Sequence, residues 1–221
     1  MNLERQLPRH HPSEALLLSH AAGSLGEAKA LAVITHLTLC PHCRRLAAEA
    51  ESIGGALLEQ LTPAEMPAGS LQAALARLDV PETPRTATTP HSAAWPGLPS
   101  ALAAYAEAAR ATSGWHMAGP GVQQLRLATG GDAQARLLRL KPGTPLPRHT
   151  HRGCELTLVL SGSYSDELGR FARGDLAELD ETVDHRPVVD QGETCVALVV
   201  TDAPLKFRGL LARLAQPFVG I

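Results

Sequence analysis

Gly143-Thr-Pro-Leu-Pro-Arg-His149-Thr-His151-Arg-Gly-Cys-Glu155-Leu-Thr-Leu-Val-Leu-Ser-Gly162 is the stretch that decides the fold of the C-terminal half. Residues i and i+2 of a strand point to the same face, so His149 and His151 enter one side of a sheet and Glu155 keeps that parity. Leu156, Leu158 and Leu160 take the other side. Glycines flank the run at both ends, as turns between short strands require. Two imidazoles and a carboxylate on one face are ligands for a divalent metal.

Outward from this run, short apolar-alternating segments punctuated by Gly and Pro continue to the C-terminus: Val122 to Leu127, Ala135 to Leu140, Glu155 to Ser161, Phe171 to Leu179 and Thr194 to Thr201. Strands at this spacing predict a β-sandwich or barrel. The spacing Gly-x5-His-x-His-x3-Glu-x6-Gly resembles the first motif of the cupins. That family adds a histidine from a second motif about thirty residues later, which falls here on His185. The second motif departs from the common pattern, because no Pro-x-Gly precedes His185 and no Asn follows it. A site of His149, His151, Glu155 and His185 suits Zn, Mn, Fe or Ni, and the donor types do not choose among them. Cys154 is expected to face away from the ligand side, and Cys195 to be a buried core thiol.

Toward the N-terminus the pattern changes. From Ser13 to about Gln60 the chain is rich in Ala, Leu and Glu at helical spacing. Ser13 caps a helix from Glu14, Gly23 ends it, and a second helix runs from about Leu25 to Leu39. Pro41 suits the first turn of a third helix reaching Leu58, and a fourth is expected between Gly69 and Leu78. The segment from Pro81 to Pro99 contains five prolines and no periodicity, and reads as a linker. One more helix is expected between Pro99 and Ala111. The division is residues 1–80 helical, 81–113 linker with a short helix, and 114–221 barrel: an α+β chain of two domains, all-α then all-β.

His36, Cys40 and Cys43 form His-x3-Cys-x2-Cys, with His36 and Cys40 on one helix face. Cys43 lies in the first turn of the next helix, where the dipole is expected to lower its thiol pKa. A tetrahedral zinc site needs a fourth donor, for which His11 is the best placed and the adjacent His10 an alternative. His42 is expected to face solvent.

Composition bounds the function. A net charge of −2 supplies no basic stripe for phosphates, which argues against direct nucleic-acid binding. No apolar run is long enough to span a membrane and no secretory leader is apparent, so a cytoplasmic location is expected, where four cysteines serve metal or thiol chemistry rather than disulfides.

The order of the two constellations, from His10-His11-Pro-Ser-Glu-Ala-Leu-Leu through Thr35-His36-Leu-Thr-Leu-Cys40-Pro-His-Cys43 to the barrel motif, Thr201-Asp-Ala-Pro-Leu and Gln216-Pro-Phe, resembles the ChrR-type zinc anti-sigma factors. That resemblance implies a helical domain holding zinc through His11, His36, Cys40 and Cys43 and sequestering an extracytoplasmic-function (group IV) sigma factor. It implies a cupin domain, a double-stranded β-helix barrel holding zinc or another metal through His149, His151, Glu155 and His185, that releases the sigma factor on exposure to singlet oxygen or organic hydroperoxide. Leu16, Leu17, Leu18, Leu31 and Ile34 are expected to contribute apolar surface to the partner. The alternative is a metal-dependent cupin dioxygenase or isomerase, with Tyr164, Asp184 and Arg186 near enough in sequence to take part.

Overall fold

The computed structural model describes residues 7–78, 98–203 and 206–207. Five helices lie among them: α1 (Glu14–Ala21), α2 (Glu27–Leu39), α3 (Pro41–Glu59), α4 (Ser70–Leu78) and α5 (Ser100–Thr112). Their boundaries follow local chemistry. The Ser13 hydroxyl accepts the Leu16 N–H at 3.1 Å as the N-cap of α1. Pro41 occupies the first turn of α3, where a missing N–H costs nothing.

The strands are β1 (His116–Gly119), β2 (Val122–Leu127), β3 (Gln134–Leu140), β4 (His149–Thr150), β5 (Glu155–Ser161), β6 (Ser163–Asp166), β7 (Gly169–Ala172), β8 (Leu176–Leu179), β9 (Asp184–His185), β10 (Val188–Val189), β11 (Cys195–Thr201) and β12 (Lys206–Phe207). They form an antiparallel six-stranded sheet, β1-β2-β3-β11-β5-β8, closed by two three-stranded sheets, β10-β6-β7 and β12-β4-β9. The strand expected over Phe171 to Leu179 is two strands broken at Gly174, whose φ of +93° is a left-handed conformation that glycine adopts without strain.

Alternation along the large sheet separates two apolar layers. Leu138, Val159, Ala197 and Val199 point into the barrel with Tyr164 and Phe171. Leu137, Leu156, Leu158, Leu198 and Val200 point outward, and there α1, α2 and α5 cover them in one continuous cluster with Leu17, Leu31 and Leu102. The helix after the proline-rich segment therefore fills core: Leu102 is fully buried and α5 packs on β2. The covering also corrects the expectation of an apolar partner surface at Leu16, Leu17 and Leu31, which are buried, whereas Leu18 and Ile34 are exposed.

The remaining helices project. In α3 only Cys43 and Ala47 are buried, and α4 buries nothing among the described residues. Ile53, Leu57 and Leu61 recur at helical spacing on and just beyond the far end of α3, and Leu71, Leu75 and Leu78 do so on α4, all exposed. No helix among the described residues is long and apolar enough to cross a membrane.

Candidate metal centres

His11, His36, Cys40 and Cys43 converge so that one ligand atom from each lies within 4.8 Å of the others. The junction of α2 and α3 supplies three of them: His36 closes the last turn of α2, Cys40 is at once its C-cap and the N-cap of α3, and Cys43 follows in the first turn. The Cys43 N–H donates to Cys40 Sγ at 3.4 Å. The fourth donor arrives from the segment before α1, with His11 Nδ1 at 3.4 Å from Cys40 Sγ and 3.3 Å from Cys43 Sγ. Tetrahedral zinc bound at ~2.3 Å to sulfur and ~2.0 Å to nitrogen places such donors roughly 3.5 Å apart.

One atom makes the fit specific. His36 Nδ1–H donates to the Gly174 carbonyl at 2.9 Å, which leaves Nε2 buried with no hydrogen-bond partner. An orphaned buried nitrogen is costly unless a metal takes its lone pair, and the outer hydrogen bond is what orients a ligating imidazole. Burial pushes the His36 pKa down to about 4, so the ring is neutral and competent to ligate. His11 is lowered as well, by burial and by the neighbouring His42.

The two residues left open fall outside the cluster: His10 packs its ring on Phe171 at 4.2 Å, and His42 is exposed. The expected depression of the Cys43 thiol is not found. Burial first, then the hydrogen bond with Cys40 and its charge, push the thiol up to about 12. A divalent metal held here would favour the thiolate form that burial disfavours.

Inside the barrel one ligand atom from each of His149, His151, Glu155 and His185 likewise lies within 4.8 Å of the others, and all four residues are buried. The register explains it: β4 pairs with β9 so that His149 lies opposite His185, and Glu155 opens β5. His149 Nδ1–H donates to the Pro147 carbonyl at 2.8 Å and His185 Nδ1–H donates to Asp166 at 2.7 Å. With both outer nitrogens protonated, the two Nε2 lone pairs face one another at 3.1 Å. Two facing lone pairs repel unless a cation lies between them, which is the observation that fits a metal here.

Neither ring nitrogen of His151 has a hydrogen bond, and its Nδ1 stands 3.3 Å from Glu155 Oε2. The other Glu155 oxygen accepts the Thr157 hydroxyl at 3.0 Å. Burial works to raise the Glu155 carboxyl, but His151, His149 and Thr157 together hold it below its ordinary value. Burial lowers His149. The four residues thus offer a carboxylate and three imidazoles, a mixed donor set that would suit a borderline divalent ion.

Asp166, at the end of β6, was not singled out from sequence, since an acidic residue on a strand carries no motif. Cys154 turns from the ligand side and packs against the apolar cluster shared with the helices; Cys195 is buried in the barrel. Tyr164 stacks on Phe171 at 5.0 Å inside the barrel, and Asp184 pairs with Arg148 at 3.7 Å.

Comparison with known proteins covers both halves. Residues 106–204 match the family described as ChrR Cupin-like domain. The chain is 45% identical over 213 residues to the Anti-sigma-E factor ChrR of Cereibacter sphaeroides, covering 96% of this chain and 99% of that protein. It is also similar to a chain in the crystal structure of Rhodobacter sphaeroides SigE in complex with the anti-sigma ChrR, with 42% identity, a TM-score of 0.74, and coverage of 88% of this chain and 99% of that one. The expected organisation, N-terminal helices followed by a cupin barrel, stands.

Proposed function

This chain belongs to the ChrR family of anti-sigma factors, and from that premise we propose that it binds and inhibits an extracytoplasmic-function sigma factor and releases it when the barrel senses an oxidant such as singlet oxygen or organic hydroperoxide. The observation that carries the reading is the similarity, along nearly the whole chain, to a protein solved in complex with its sigma factor. The enzyme alternative lacks equivalent support.

The helices supply a surface for such a partner. The apolar stripe of Ile53, Leu57 and Leu61 and that of Leu71, Leu75 and Leu78 are unpartnered among the described residues, with Leu57 61% and Leu75 52% exposed. A helical partner that covers them gains area removed from water, and inhibition requires only that the covered partner surface be one it needs for RNA polymerase. A metal held by His11, His36, Cys40 and Cys43, zinc on this reading, would tie the segment before α1 to the α2–α3 junction, from which α3 projects. Structural zinc contributes roughly 10 to 16 kcal/mol in small zinc-folded peptides.

In the barrel, His149, His151, Glu155 and His185 would hold a divalent ion, which supplies open coordination positions for a small oxidant. Asp166 and the Pro147 carbonyl orient two of these rings and fix their tautomers.

Purification of tagged protein from its host, with the Cys40→Ala, Cys43→Ala double variant as control, tests the reading. A stoichiometric sigma factor that is lost in the variant supports it. Protein that elutes alone with a loaded barrel favours oxygenase or isomerase chemistry. The sensing half is tested separately by His149→Ala, expected to keep basal inhibition and lose the oxidant response.

A further inference from the structure

The segment preceding α1 lies across the barrel, and its attachments are concentrated on the turn between β7 and β8 and on β8 itself. The N–H groups of Arg9 and His10 both donate to Asp175 Oδ1, at 2.6 and 3.0 Å. The Leu176 N–H donates to the His10 carbonyl at 3.1 Å, and Ser13 donates through both its N–H and its hydroxyl to Glu178. His11 is held between these contacts. On the neighbouring residue, the Gly174 carbonyl accepts His36 Nδ1–H at 2.9 Å.

The approach is tight enough to need glycine: a Cβ on Gly174 would lie 2.7 Å from Pro8 Cγ. The turn is itself well anchored. Asp175 Oδ2 accepts the Ala172 N–H at 2.8 Å, and the turn exchanges two backbone hydrogen bonds with Val159 of β5, at 3.0 and 2.8 Å. Four residues before Val159, the same strand carries Glu155 of the other centre. Of the four donors of the thiolate centre, His11 therefore takes its placement from the barrel, and His36, carried by α2, has its ring oriented by the barrel's Gly174 carbonyl.

We propose that Asp175, with the Gly174 carbonyl, is a positioning element of the thiolate metal centre, so that the barrel sets how tightly His11, His36, Cys40 and Cys43 hold their metal. The proposal rests on the reading that these four residues bind a divalent ion. Its physical basis is general: a ligand held in its binding orientation loses less freedom on coordination, and outer-sphere partners of ligating histidines carry affinity for that reason. The coupling is reciprocal, so metal at the thiolate centre also holds residues 9–13 against the barrel. A change in β5 is then able to reach the cysteines through two hydrogen bonds and a turn.

Full-length protein loaded with Co2+ tests it, because thiolate-to-cobalt charge-transfer absorption reports the thiolate centre alone, the barrel centre having no thiolate ligand. In chelator competition Asp175→Ala is expected to weaken that centre by about 10- to 100-fold, with the barrel centre still loaded. Asp175→Asn, which keeps one carbonyl oxygen for the two amides, is expected to fall between Asp175→Ala and the unaltered protein. Unchanged affinity at the thiolate centre in Asp175→Ala, with the barrel loaded, overturns the proposal. Should Asp175→Ala empty both centres through misfolding, the Asp175→Asn measurement decides: weakened thiolate affinity supports the proposal and unchanged affinity overturns it. Absence of the charge-transfer band in unaltered protein overturns instead the underlying metal reading.

Discussion

His185 Nδ1 stands 2.7 Å from Oδ2 of Asp166, a carboxylate whose side chain has no solvent exposure. β6 and β9 are brought together by barrel closure, and the carboxylate fixes the tautomer that leaves His185 Nε2 facing the other ligands. Replacement of Asp166 by Ala is expected to reduce metal affinity at the barrel centre about 10- to 100-fold while leaving the thiolate centre loaded. Competition titration of each centre measures this; equal losses at both would mean general unfolding instead.

The exposed and buried leucines should separate binding from stability. Leu57→Asp, on the projecting end of α3, is expected to change unfolding free energy by no more than about 0.5 kcal/mol and to weaken the sigma partner by about 2 kcal/mol or more. Leu198→Ala, fully buried in β11, is expected to cost about 2–5 kcal/mol of stability. Denaturant titration and a binding isotherm on each variant check the contrast, and a Leu57→Asp protein that binds normally would exclude this stripe from the interface.

Asp190 supplies a pH signature away from either metal centre. Burial works to raise its carboxyl, but Ser163, Arg170 and Ser165 hydrogen-bond it and hold its pKa below the ordinary 3.8. A depressed folded pKa means that the ionised form is favoured by folding, so its contribution is fully present above pH 3.8 and is lost as pH falls through the folded value. Acid unfolding of Asp190→Asn is expected to be less steep below about pH 4. Parallel curves for the two proteins would show that this carboxylate does not titrate on unfolding.

Two glycines should respond in opposite directions to alanine. Gly162 has φ +67°, and a Cβ there would lie 2.7 Å from the Thr194 carbonyl oxygen and 2.8 Å from Cys195 Cα, so Gly162→Ala is expected to cost about 2 kcal/mol or more. Gly54 sits inside α3 with nothing within 4 Å of its would-be Cβ, and Gly54→Ala is expected to stabilise by about 0.4–1 kcal/mol. Calorimetry on both variants at equal metal content is the measurement.

Much of the candidate chemistry could be read from spacing, because spacing is what a helix junction or a strand converts directly into geometry. His36, Cys40 and Cys43 needed only a helix end and a first turn, whereas His149, His151 and Glu155, expected on one strand, come from β4, the connection after it and the start of β5 in another sheet, and converge there all the same. The long-range members were less accessible. His185 enters through the pairing of β4 with β9, and Asp166 from β6, which pairs with β10 and β7 in another sheet; neither arrangement has a local sign. The apolar faces illustrate the same limit. Leu16, Leu31 and Leu57 have equal standing as helical leucines, and only the packing of α1, α2 and α5 on the sheet decides that the first two are core while the third is surface. Gly174-Asp175 lay within a segment that reads as continuous strand, yet its backbone turns there and meets His36 and the chain around Pro8.

The apolar cluster that joins α1, α2 and α5 to the outer face of the six-stranded sheet also bears on how such a chain can be recombined. A barrel moved by itself into a new gene would carry Leu137, Leu156, Leu158, Leu198 and Val200 uncovered on one broad face, a sticky patch that draws copies together. A transplant that keeps α1, α2 and α5 keeps that face covered. The shared layer makes helices and barrel one heritable unit: α1 and α2 precede α4 in the chain whereas α5 and the barrel follow it, so a chimaera joined at α4 would have to match the two sides of that layer from different parents.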